Sequence, residues 1–258
     1  MIRIVDYPSI LFIFLFVTYA TALEIGFRLA SRGREKEDPD LHEQAVGVRD
    51  GVIVLLSLLL GFTLALALPR YDLRRQLIVD EANAIGTTDL RAQMLPEPAR
   101  GKSLELLRNY VDARVEFSET GGIPGASDAA SARSRELQAA LWAQAKDAAT
   151  ASPTPITSIY VASLNDMMDL EAKRIAARHS RVPVSIWIML FLLSILACLS
   201  FGFSLRRRFL LSMVVAPLMI SIVMALIADL DTPNRGFIHV DLTSLRQIQS
   251  DLHSQTPK

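Results

Sequence analysis

The amino-acid sequence predicts an all-α, polytopic membrane protein, with four transmembrane helices and a helical extramembrane domain between the second and the third. Three observations lead there. Apolar residues collect into four long blocks instead of recurring at periods of two or 3.6 across the chain. Charges collect between the blocks, with Lys+Arg and Asp+Glu balanced at 27 each in 258 residues. A long stretch after the second block carries helical periodicity, and only Gly236–Val240 alternates with strand period.

A bilayer core of about 30 Å is crossed by about 20 mostly apolar helical residues. Ser9–Ala30, Gly51–Leu68, Pro183–Leu205 and Phe209–Leu230 meet that length. The first block has a rival reading as a signal peptide, with Ala20-Thr21-Ala22 as a small-residue cleavage site. Against it, Asp6 dilutes the basic start and the apolar run continues to Ala30. Arg206, Arg207 and Arg208 alone separate the last two blocks, so these form an antiparallel hairpin. Pro217 stands mid-span in the fourth, where neighbouring helices can accommodate its missing hydrogen bond. The segments are therefore 1–68, a span pair with a charged loop at 31–46; 69–182, the helical domain; 183–230, the second pair; and 231–258, a polar tail.

Within the domain, Tyr71, Ile78, Ala82 and Ile85 share one helical face. Pro96 and Pro98 then break the chain and suit the start of a new helix. That helix presents Leu104, Leu107, Val111 and Val115 as a stripe. Residues 121–125 form a Gly/Pro loop, and Ser127 or Asp128 can cap a third helix bearing Leu137, Leu141 and Trp142. Thr154 and Pro155 read as N-cap and first position of a fourth, whose face carries Ile156, Tyr160, Leu164, Met167 and Arg174. The tail offers one amphipathic turn at Leu245, Ile248 and Leu252. The domain's first and last helices run directly into spans.

No nucleophile motif, metal-binding His pair, phosphate loop or dinucleotide fingerprint occurs, so the chain reads as a non-enzyme with no cofactor and no metal. The lone Cys198 excludes a disulfide, and the neutral balance excludes nucleic acid as a partner. Asp166, Asp169 and Glu171 read as a solvated face paired with Lys173 and Arg174, and Asp80-Glu81 likewise, with Glu81 bordering the apolar side. Glu24 and Arg28, four apart, are membrane-embedded charges that either pair at the interface or face a bundle interior. Asp229, with Asp231, closes the fourth span as a cap, as a partner of Arg235 or as a partner of a basic residue in the helical domain. Gly47, Gly51, Ser57, Gly61 and Ala65 form a small-residue face on the second span, suited either to packing inside one subunit or to lining a pore at a symmetry axis.

Residues 61–99, GFTLALALPRYDLRRQLIVDEANAIGTTDLRAQMLPEPA, and 228–241, ADLDTPNRGFIHVD, together with the spacing of the spans, resemble a bacterial membrane family described as bestrophin-like. The stretch Arg70–Arg91 is the most specific part. An Arg-Tyr-x-x-Arg pattern at Arg70, Tyr71 and Arg74 extends the likeness to bestrophins proper, which are pentameric anion channels with a hydrophobic neck and an acidic calcium clasp. This chain departs from them in having only Asp229 and Asp231 after the fourth span, only Phe62 as an aromatic in the second, and Asp89 where an aromatic is expected.

The resemblance implies a homo-oligomer in the bacterial cytoplasmic membrane that conducts small anions, with the lipid bilayer as its surroundings. The alternative is a membrane-anchored helical sensing or interaction module without a pore. Two arguments disagree on sidedness. Short-loop basic residues (Arg32, Arg34, Lys36, Arg49 and Arg206–Arg208) favour an extracytoplasmic domain, whereas the family likeness favours a cytoplasmic one; the charge rule is taken.

Overall fold

The computed structural model describes residues 7–33, 39–120, 123, 125–232, 236–238 and 240–254. Among the described residues there are eight helices and no strand: α1 (Pro8–Gly33), α2 (Pro39–Ala92), α3 (Ala99–Glu119), α4 (Ala126–Ala151), α5 (Pro155–His179), α6 (Val184–Ser204), α7 (Leu210–Asp231) and α8 (Thr243–Ser254). The strand-like alternation at Gly236–Val240 forms no strand at its described positions. Four helices are long and apolar enough to cross a membrane. The chain divides into two compact units, Met1–Arg70 with Arg181–Ile238, and Tyr71–Ser180 with His239–Lys258.

The first unit holds α1, α6, α7 and the front of α2. Leu11, Leu15, Tyr19, Ala22 and Leu23 of α1 are buried together with Leu190, Ala197 and Cys198 of α6 and Met224 and Ala228 of α7. Lipid tails are as apolar as leucine, so association in a bilayer depends on close packing rather than on water exclusion. Two glycines provide it. A Cβ on Gly26 would collide with the carbonyl of Leu199, and one on Gly202 with the carbonyl of Leu23. The buried face of α1 continues past Ala22 to Phe27 and Ala30.

α2 corrects the expected loop at 31–46. It begins at Pro39, because proline suits a first helical turn and charge alone does not prevent a helix; residues 34–38 lie outside the described ones. It then continues through Pro69 as a single helix of 54 residues, roughly 80 Å long at 1.5 Å per residue. Its residues up to Arg70 belong to the first unit and those from Tyr71 to the second.

The second unit packs Ile78, Ala82 and Ile85 of α2 with Leu107, Tyr110 and Val111 of α3, Leu141 and Ala145 of α4, and Tyr160, Leu164 and Met167 of α5. Trp142 and Ile156, expected on those stripes, are exposed. Thr154 caps α5 by accepting the Thr157 amide at 3.2 Å. α4 starts differently from expectation: its N-cap is Gly125 at φ 86°, with no side-chain cap from Ser127 or Asp128. The polar tail is more than one amphipathic turn. α8 buries Leu245 and Leu252 in this core, and just before it the Asp241 carboxylate accepts the Thr243 amide at 2.8 Å. Gly86 leaves room for Ile248, whose Cδ1 would stand 3.1 Å from a Cβ there.

Candidate functional site

The small-residue face of α2 is bare within the first unit. Nothing lies within 4 Å of where a Cβ would stand on Gly47, Gly51 or Gly61, and Ser57 and Ala65 are exposed. Among the described residues, no side chain or backbone of another helix reaches these three glycines. Ser57 returns its hydroxyl to the Ile53 carbonyl at 2.8 Å, so the face presents no unsatisfied polar group there. In the second unit α2 leaves Asp72, Gln76, Val79, Asn83 and Leu90 exposed.

Glu24 and Arg28 pair at 2.6 Å, and the same carboxylate oxygen also receives Arg208 at 2.6 Å. Arg208 lies 5.1 Å above the Phe27 ring. Both guanidiniums remain exposed.

Asp229 is buried and accepts the amides of Phe237 and Ile238 at 2.9 and 3.0 Å. Asp231 accepts the amide of Val182 at 2.9 Å. These carboxylates thus tie the chain after α7 and before α6 to the end of the fourth span; Arg235, the expected partner, lies outside the described residues. Among the described residues, no group of three His, Cys, Asp or Glu could hold a metal ion. Of the family-like triad, Arg70 and Tyr71 are half-buried and Arg74 is buried.

The strongest polar feature was not expected. Arg114 of α3 is fully buried and donates from Nε to Glu81 of α2 at 2.5 Å and from Nη1 to Glu171 of α5 at 3.0 Å. Arg174 pairs with the other oxygen of Glu81 and donates to Ser118 Oγ at 2.6 Å. Tyr110 donates to Glu171 at 2.7 Å, and Gln138 of α4 donates to the same oxygen. Two carboxylates and two guanidiniums thus join α2, α3 and α5, and Gln138 adds α4. Burial alone would raise the Glu81 carboxyl, but the two guanidiniums outweigh it and hold it below the usual range. Burial pushes the Tyr110 hydroxyl well up, and Glu81 adds to that. Glu81 and Glu171 are therefore not part of a solvated face, although Asp166 and Asp169 are exposed.

The signal for this cluster was present. Arg114 stands seven after Leu107 and three after Val111, and Glu171 stands seven after Leu164 and four after Met167, so both fall on the apolar stripes of their helices.

A family model described as "Bestrophin-like domain" matches residues 13–245. Among solved structures, a point-mutated bacterial bestrophin homologue from Klebsiella pneumoniae aligns with a TM-score of 0.65 at 13% identity, covering 94% of this chain and 97% of that one. At that identity the likeness is one of fold. Comparison with curated proteins gives no match.

Proposed function

This chain belongs to the bestrophin-like family, and from that premise we propose that it is a homo-oligomer whose α2 helices line a path for small anions. The supporting observation is the bare small-residue face at Gly47, Gly51, Ser57, Gly61 and Ala65. Small residues let helix backbones approach closely in a bilayer, and a face that no described helix of its own chain covers is available to a second copy or to a conduit. Between Gly51 and Leu68 that span carries no charge to bind an ion tightly. On this reading the protein is a channel, not an enzyme. It works in the bacterial cytoplasmic membrane, with the helical domain on the extracytoplasmic side.

Purified protein in liposomes tests it. Chloride or iodide flux above that of empty vesicles is expected. A detergent-stable oligomer that passes no anion would favour instead a membrane-anchored helical sensing or interaction module without a pore.

A further inference from the structure

The turn between α6 and α7 is built from three consecutive arginines, Arg206, Arg207 and Arg208, all exposed. Beside it, Glu24 draws Arg28 and Arg208 onto one carboxylate oxygen, each at 2.6 Å. Two guanidiniums thus meet at a single acid, and Arg206 and Arg207 directly precede one of them in the chain. A guanidinium carries five N–H donors, and each of these two spends one of them in its bond to Glu24. Among the described residues, Arg206 and Arg207 have no ion-pair partner.

Snorkelling accounts for one arginine reaching water from a span end. It does not account for a carboxylate, costly at that depth, that fixes two guanidiniums side by side.

Directly next to this cluster the surface is bare and apolar. Phe209 and Leu211 are each 61% exposed and Leu210 is 78% exposed, with Ile25 and Leu29 of α1 and Phe203 of α6 also uncovered. A ligand that satisfies both parts carries an anionic oxygen cluster on an acyl body. Guanidiniums bind phosphate oxygens in a bidentate fork, and the apolar ledge matches acyl chains at the top of the hydrocarbon layer.

We infer that the α6–α7 turn, with Arg28, is a seat for the phosphate headgroup of an anionic phospholipid.

Native mass spectrometry of the full-length protein from mixed micelles tests this, comparing retained phosphatidylglycerol with phosphatidylcholine. The wild type is expected to retain phosphatidylglycerol preferentially. R206Q/R207Q should lower that preference about 25-fold, from about fivefold per arginine near a surface. R133Q, an exposed substitution in the helical unit, should leave it unchanged and serves as the folding control. Equal retention of the two lipids by the wild type, or undiminished preference in R206Q/R207Q, would overturn the inference. So would full displacement of phosphatidylglycerol by millimolar inorganic phosphate, which would point to a free-anion site.

Discussion

Glu81 and Arg114 meet at 2.5 Å with neither side chain reaching solvent. Breaking such a contact from one side strands a buried charge, which costs about 3–5 kcal/mol. Arg114→Met should therefore destabilise the protein by that amount, read as loss of helical signal in a denaturant titration in detergent. Arg114→Met combined with Glu171→Gln removes one charge of each sign and leaves Glu81 paired with Arg174. The double variant should recover much of the loss; a double variant no better than the single one would show that the charges are not coupled.

Acid should attack the same contact. The Glu81 carboxyl is held below its ordinary value, so its contribution is full above the unfolded pKa of about 4.3 and is lost as pH falls through the lower folded value. The unfolding midpoint of the wild type should be level above about pH 5 and drop below it. In Glu81→Gln the midpoint should already be low at neutral pH, and its acid dependence shallower.

Glycines on three spans should fall into two opposite kinds. Gly26→Leu and Gly202→Leu drive a side chain into a facing helix backbone, and overpacking of this kind costs about 1–3 kcal/mol, so both should lower the melting temperature of the isolated subunit. Gly61→Leu meets open space and should leave the subunit's stability unchanged while breaking the oligomer in mass photometry. An intact oligomer would remove the bare face of α2 from the interface between copies.

Sidedness is open to a direct experiment. Each charge on an energised membrane is worth roughly 2 kcal/mol per 100 mV, so the basic residues of the two short loops weigh toward the cytoplasm. With Cys198→Ala as background, Ser127→Cys should react with an impermeant maleimide in intact spheroplasts, and Ser31→Cys should be protected. The reverse pattern would place the helical unit inside the cell.

The spans were legible because bilayer thickness sets a length that Ser9–Ala30 and its three counterparts display in plain composition. Helix faces were legible where every member was apolar, as at Leu107 and Val111. The buried charges escaped because a lone Arg or Glu on a stripe looks like its solvated neighbours. Glu171 lies close in sequence to the exposed Asp166 and Asp169, although its position relative to Leu164 and Met167 places it inward. The extent of α2 escaped for another reason: Pro39 and Pro69 are helix breakers by composition, yet one opens the helix and the other lies inside it. That Gly47, Gly51 and Gly61 meet open space could not be read from spacing, which says which residues share a face but not what that face meets.

The backbone contact between α1 and α6 bears on how the protein is made. Gly26 is complementary to Leu199 and Gly202 to Leu23, yet α6 leaves the ribosome only after the whole helical unit has been synthesised. α1 therefore waits in the lipid, or beside the insertion machinery, with its notch empty, and the first unit closes only when the third span arrives. Ribosomes stalled before residue 184 should leave α1 accessible to crosslinking by insertion factors, and synthesis through Ser204 should release it.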